Sequence, residues 1–193
     1  MSSTVTLRER KKDATKTALA NAALDLADRH GLSQLRIEDI AEQAGVSLRT
    51  FRNYFANKEA AVVGLLTHNY DLVVEALRKR PADEELWVAL AHACKALYPV
   101  DPDRSWVRRM RLLRAEPALA AEKYRSDATG LDALSEQIAK RNEIAPGSEV
   151  YPRLAAEVTQ AALRAAIDYW LDTPRTPPLQ QVVWDFISRI RIT

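Results

Sequence analysis

Disulfide chemistry is closed to this chain, because only one of its 193 residues, Cys94, is a cysteine. No intrachain bridge can form, and cysteine use this sparse suits a reducing compartment. Glycine is nearly as rare, at five residues, and no glycine-rich phosphate loop or nucleophile elbow can be traced. The three histidines, His30, His68 and His92, share no short metal-binding spacing, and a zinc cysteine cluster is impossible. These absences argue against an enzyme, a metal centre and a bound cofactor. No apolar run approaches the length of a bilayer span. The polar start 1–6, followed by Arg8, Arg10, Lys11 and Lys12, lacks the apolar segment of a secretory signal. The expectation is a cytoplasmic protein with no membrane partner.

What is present is apolar content of 47%, enough at this length to bury a core, but not for more than two modest domains. Net charge is only +2, yet it divides unevenly at Lys58: residues 1–58 hold 10 Lys/Arg against 7 Asp/Glu, and residues 59–193 hold 18 against 19. A basic head is the direction expected of a polyanion binder. Period-two alternation is missing, while Ala, Leu, Glu, Arg and Lys recur at helical spacing. The fold class is therefore all-α, with about nine helices and no internal repeat.

The first helix is expected from Leu7 to His30, with Ala18, Leu19, Ala22, Ala23, Leu26 and Ala27 as its apolar stripe and Gly31 as its stop. Two short helices follow, Ile37 to Ala44 and Leu48 to Tyr54, and Asn57 can cap a long fourth from Lys58 to Arg80. A fifth spans Glu84 to Tyr98, and a sixth opens at Asp101-Pro102 and ends near Pro117. The seventh runs to Arg141 with a bend expected at Gly130, the eighth from Val150 to Leu171, and the ninth from Leu179 to Ile190.

The informative segment is Ile37 to Phe55. Ile37, Ile40, Ala41 and Ala44 form an apolar face, and Ala41 is small where a second helix would cross. Gly45 can take the positive φ of a tight interhelical turn, Val46 can plug the angle, and Ser47 can cap the next helix. On that helix Phe51, Tyr54 and Phe55 suit the core, and Leu48, Arg49, Thr50, Arg52 and Asn53 project. Such a face fits a major groove, where Arg reads guanine, Asn reads adenine and hydroxyls bind phosphate. On residue types alone an ordinary helical hairpin stays open, as does a helical protein-interaction adaptor that binds no DNA.

His30-Gly31, then Ile40 to Ser47, Thr50-Phe51, Tyr54-Phe55 and Asn57 to Ala60 resemble, in order and spacing, the N-terminal domain of TetR-family transcriptional regulators. The resemblance covers residues 14–66. It implies a helix-turn-helix DNA-binding domain over 1–58, with a basic N-terminal arm of Arg8, Arg10, Lys11 and Lys12, and a ligand-binding and dimerisation domain over 59–193. It further implies DNA contacts from Arg36, Ser47, Leu48, Arg49, Thr50, Asn53, Tyr54 and Lys58, with Lys58 gripping a backbone phosphate. The partner would be a near-palindromic double-stranded operator. Two positions depart from the family pattern. Arg36 stands where Thr usually caps the second helix, and Ala27 stands where a large aromatic is usual.

In that family the last two helices pair with their symmetry mates, and the expected homodimer interface is Ala162, Ala166, Trp170, Val183, Phe186, Ile187 and Ile190. Expected ligand-pocket residues are Leu66, Asn69, Val73, Trp87, Leu90, Trp106, Met110, Leu113 and Ile138. Four arginines crowd the sixth helix, Arg108, Arg109, Arg111 and Arg114. Residues 112–171 resemble the C-terminal domain of mycofactocin-repressor-like regulators. That resemblance implies a small-molecule effector of the acyl-coenzyme A class, with arginines suited to its nucleotide. The combined expectation is a repressor released from its operator by such an effector.

Overall fold

The computed structural model describes residues 7–64, 69–143, 150–173 and 177–191. Among these, ten α-helices and one 3-10 turn are present and no strand. In chain order they are α1 (Leu7–His30), the 3-10 turn (Leu32–Gln34), α2 (Ile37–Gln43), α3 (Leu48–Tyr54), α4 (Lys58–Val63) and α5 (Asn69–Arg78). There follow α6 (Leu86–Lys95), α7 (Arg104–Ala115), α8 (Pro117–Arg141), α9 (Val150–Asp172) and α10 (Leu179–Ser188). Of the single helix expected over 58–80, the described parts are α4 and α5, and residues 65–68 lie outside the described residues. α4 ends at Gly64, where an added Cβ would sit 2.6 Å from the Phe55 ring. Only a glycine lets the two chain segments approach that closely. The sixth expected helix starts later than anticipated: Asp103, not Asp101, caps α7, its Oδ1 accepting from the Trp106 N–H at 2.7 Å.

The chain forms two compact units, the first within Met1–Thr67 and Arg111–Ser126, the second within His68–Met110 and Asp127–Thr193. α7 and α8 contribute residues to both. The first unit's core gathers Leu19, Ala20, Ala23 and Ala27 of α1 with Leu32, Leu35, Ile40, Phe51, Phe55 and Val62. Ala18, placed on the α1 stripe from spacing, is exposed and Ala20 is buried in its stead. The buried face is centred about an eighth of a turn further round the helix. Ala27 is 1% exposed, and α8 supplies Leu119 to the same core from outside the helix-turn-helix.

The second unit is built around α6, which packs against α5 and α10. Leu86, Trp87, Ala89, Leu90, Ala91, Ala93 and Cys94 are all buried, the mark of a helix enclosed on nearly every side. α9 and α10 complete the enclosure with Ala155, Ala156, Ala166, Leu179, Val182, Val183 and Ile187. α8 runs unbroken through Gly130, where an added Cβ would meet the Tyr70 Cβ at 2.5 Å. Gly130 is thus a packing notch for α5. At one end of this unit Arg141 donates to the carbonyls of Arg80 at 3.5 Å, Pro81 at 2.5 Å and Glu84 at 2.7 Å. One guanidinium thereby closes the backbone between α5 and α6.

Candidate nucleic-acid interface

The turn between α2 and α3 is held by backbone geometry. Gly45 adopts φ 67°, its N–H donates to the Glu42 carbonyl at 2.9 Å, and the Val46 N–H donates to Ala41 at 2.9 Å. Any side chain at that φ would be strained. Ser47 then caps α3, its Oγ accepting from the Thr50 N–H at 3.1 Å. The same oxygen lies 2.9 Å from the Thr50 hydroxyl, so the two hydroxyls orient each other at the first turn of α3.

Phe51 and Phe55 anchor α3 in the core, 1% and 6% exposed, with ring centroids 6.0 Å apart. Because those anchors recur at i and i+4, the opposite face is left outward. Arg49, Arg52 and Asn53 are exposed there, with Leu48, Thr50 and Tyr54 half-buried at its margins. Guanidinium, carboxamide and hydroxyl groups on one short helix are the donors and acceptors that read base edges and phosphates. Tyr54, placed in the core by spacing and on the contact surface by the family resemblance, is half-buried.

Beside α3, Arg36 occupies the N-cap position of α2 with extended backbone and no side-chain cap. Its side chain is 71% exposed, with Glu38 3.7 Å away. Lys58, half-buried at the start of α4, donates from Nζ to the Leu32 carbonyl at 2.8 Å and the Leu35 carbonyl at 3.0 Å. The cap expected of Asn57 is present, its Oδ1 accepting from the Ala60 N–H at 2.6 Å. The basic residues Arg10, Lys11 and Lys12, expected on an unstructured arm, are exposed on the first turns of α1.

Pattern reading also missed a strut between α1 and α2. The Gln43 amide donates to Asp25 Oδ2 at 2.8 Å and Arg29 pairs with the same carboxylate. Those two hydrogen bonds hold the Asp25 carboxyl below its ordinary pKa. Asp, Arg or Gln at such positions is too common in helices to signal a cross-helix bond, so only the fold reveals it.

The residues expected to line a ligand pocket separate. Val73, Trp87, Leu90 and Ile138 are core of the second unit, and Trp106 packs against them at half-burial. Trp106 meets Tyr98 and Trp170 edge-on, at centroid distances of 6.5 and 6.1 Å. Met110 is buried. Leu113 instead packs against the first unit's core, because α7 crosses from one unit to the other. Leu66 and the Asn69 side chain lie outside the described residues. Of the arginines on α7, Arg108, Arg111 and Arg114 are exposed and Arg109 is half-buried.

That second core also holds polar groups that no motif announced. Asp127 is 2% exposed and accepts from the Gln160 amide at 3.1 Å. Burial, with the Asp127 charge nearby, pushes the Tyr70 hydroxyl well above its usual pKa, and Gln160 bonds to that hydroxyl. Cys94 is fully enclosed, and burial pushes its thiol up to about 12, a state without nucleophilic character. Among the described residues no group of three His, Cys, Asp or Glu side chains is arranged to hold a metal ion.

The expected dimer residues divide as well. Ala166, Val183 and Ile187 are 0% exposed within the single chain, enclosed in the core around α6, and are spent there. Ala162, Trp170, Phe186 and Ile190 remain half-buried. Spacing identifies an apolar stripe but not which of two neighbours it faces.

Comparison with known proteins follows this division. Residues 19–62 match the family model described as bacterial regulatory proteins, tetR family, and residues 84–191 match the MftR C-terminal domain. The regulator TcmR of Streptomyces glaucescens is 29% identical over 172 residues, covering 85% of this chain and 76% of its own. MftR of Mycobacterium tuberculosis, named for mycofactocin biosynthesis, is 24% identical over 164 residues, 84% of this chain and 82% of its own. Among solved structures, NalD of Pseudomonas aeruginosa, described as the secondary repressor of the MexAB-OprM multidrug efflux pump, superposes with a TM-score of 0.58. It shares 20% identity over 90% of this chain and 93% of its own. With an MftR-type C-terminal match over more than half of its length behind a tetR-type head, this chain belongs to the TetR family of transcriptional regulators, whose N-terminal helix-turn-helix binds DNA.

Proposed function

We propose that the chain is a repressor that binds a near-palindromic operator as a homodimer and is released by a lipophilic small molecule in the cytoplasm. The observation that carries the DNA surface is the outward face of α3, where Arg49, Asn53 and Thr50 project opposite the buried Phe51 and Phe55. Arg36, Ser47, Leu48 and Tyr54 flank it. Two copies would present two such helices one helical turn of DNA apart.

The dimer surface proposed here is the apolar stripe left outward on α9. Leu154, Ala161, Ala165 and Tyr169 are exposed along it, and Tyr169 packs against Phe186 of α10 at 5.7 Å. Leu154 and Tyr169 are 43% and 48% exposed, and large apolar side chains in line on one helix favour a partner. Residues 161 and 165 are small enough to let a symmetry-related helix approach closely.

For the effector, the second unit offers Val73, Trp87, Leu90 and Ile138 as apolar walls, and the Tyr70, Asp127 and Gln160 polar set. An acyl-coenzyme A is the first class to test, its acyl chain suited to the former and its phosphates to Arg109. Ligand and operator must lower each other's affinity by the same factor. The test is binding to the DNA flanking the gene at two salt concentrations, with and without an acyl-coenzyme A panel. Binding that is neither sequence-specific nor salt-sensitive would sink the operator reading.

A further inference from the structure

The Gln43 side chain closes a ring of three side chains at the last turn of α2. Its amide nitrogen donates to Asp25 Oδ2 at 2.8 Å, its amide oxygen accepts a longer bond from Arg29 Nη2 at 3.5 Å, and Arg29 pairs with the same Asp25 oxygen. Both ends of the amide are used, and both partners lie on α1, one helical turn apart. Gln43 stands two residues before Gly45, and from there the backbone has little freedom. The Gly45 N–H is bonded to the Glu42 carbonyl, the Val46 N–H to the Ala41 carbonyl, and Ser47 caps α3. A tilt of the end of α2 is therefore passed to the first turn of α3. That turn carries Arg49 and Thr50, at the end of a recognition helix that contacts base edges. Further along, α3 is fixed differently, by Phe51 and Phe55 in the core. The buried side chains of α2, Ile40 and Ala41, hold this short helix at its middle, whereas Ala44 and Val46 beyond its end pack at half-burial.

We propose that Asp25, Arg29 and Gln43 are positioning residues for DNA recognition: their bonds tie the last turn of α2 to α1 and so set the angle at which the Gly45 turn presents the first turn of α3. They act on base reading through Arg49 and Thr50. This rests on the reading that the outward face of α3 meets the operator.

The test uses the full chain and a duplex selected by the wild-type protein from random-sequence DNA, beside a scrambled duplex of equal length. Wild-type protein that selects no sequence overturns the operator reading and this inference together. Once it selects one, the operator reading stands and the variants decide the inference alone. Gln43→Ala removes both amide bonds without changing the net charge. It is expected to lower the operator-to-scrambled affinity ratio by up to about fivefold, the ceiling for a solvent-exposed ionic network, with the salt dependence of binding unchanged. In an Asp25→Ala background, Gln43→Ala should lower that ratio by less than about twofold more, because the two side chains act through one contact.

Exchanging donor and acceptor gives the sharper result. Gln43→Glu sets a second carboxylate against Asp25 and should lower the ratio further than Gln43→Ala does. Adding Asp25→Asn supplies an amide that can donate to the new carboxylate and restores the net charge, and the double variant should return to within about twofold of the wild-type ratio. A purely structural role would lower the melting temperature of the single variants and leave the ratio unmoved where all are folded. An unmoved ratio, or a double variant no better than Gln43→Glu, overturns the proposal. So does Arg29→Met that flattens the slope of log K against log salt by about 0.9 at an unchanged ratio, the mark of a phosphate contact in place of a positioning role.

Discussion

The two units solve opposite problems with the same secondary structure. In the first, short helices are held by specific local devices: Gly45 at positive φ, the Ser47 and Asn57 caps, and the Lys58 bonds to the 3-10 turn. Arg36, Arg49, Arg52 and Asn53 are among the side chains left outward. In the second, a nearly all-apolar α6 is wrapped by α5, α9 and α10, and its polar groups, Asp127, Gln160 and Tyr70, are turned inward. A unit that reads DNA must display its chemistry on a rigid, shallow frame. The proposed effector-binding unit instead hides its chemistry in a core. Mutations should therefore separate along the same line, with stability lost from one unit and recognition from the other.

The largest expected effect is in the second unit. Leu90 is fully enclosed, and Leu90→Ala should cost about 2–5 kcal/mol of unfolding free energy. Operator affinity measured well below the melting temperature should stay within about twofold of the wild type. A Leu90→Ala protein that melts normally would break the picture of α6 as the structural centre.

In the first unit the reverse is expected. Arg49 and Asn53 are exposed, so replacing either with Ala should move stability by no more than about 0.5 kcal/mol. Each should weaken operator binding by about 1–3 kcal/mol and relax sequence preference at one base position. Competition binding with single-base operator variants is the measurement. Unchanged preference for both variants would remove α3 as the reading element.

Ser47→Ala sits between these cases, because the hydroxyl caps α3 and also orients Thr50. A stability loss of about 1 kcal/mol by chemical denaturation is expected. A loss of operator affinity should accompany it. Ser47→Gly, which removes the same hydroxyl at a position where glycine is tolerated, should cost less stability and as much affinity.

The smallest effect is electrostatic and belongs to the second unit. Hydrogen bonding and charge from Arg80 hold the Glu84 carboxyl below its ordinary pKa. A depressed folded-state pKa stabilises the fold above the unfolded-state value, and that contribution is lost as pH falls through the folded one. Melting of wild type and Glu84→Gln should therefore differ at neutral pH and converge in acid. The neutral-pH gap should be under about 1 kcal/mol, because both side chains are partly solvated. A gap that widens in acid would reverse the assignment.

The legibility of the two units in sequence differs for the same reason as their chemistry. Helix-turn-helix geometry depends on contacts within about twenty residues, so Gly45, Ser47, Asn57, Phe51 and Phe55 each signal their role by type and spacing. The bonds from Lys58 to the Leu32 and Leu35 carbonyls could not be read that way, because those partners are backbone oxygens 26 and 23 residues away and carbonyls leave no mark in side-chain patterns. The reason for a glycine at position 64 was hidden similarly, since it reflects the approach of the Phe55 ring. In the second unit, Val183, Ile187 and Ala166 were legible as apolar but not as facing α6. An apolar side chain gains the same free energy from any neighbour that excludes water.

By itself, then, the sequence determined the helical class, the position of the DNA-reading turn and the identity of its projecting side chains, all consequences of short-range geometry. Only the tertiary structure decided which apolar residues of α9 and α10 are core, that Asp127 and Gln160 meet inside the second unit, and that Lys58 bonds to the Leu32 and Leu35 carbonyls. Those outcomes depend on which surfaces compete successfully for burial, and that competition is settled between elements far apart in the chain.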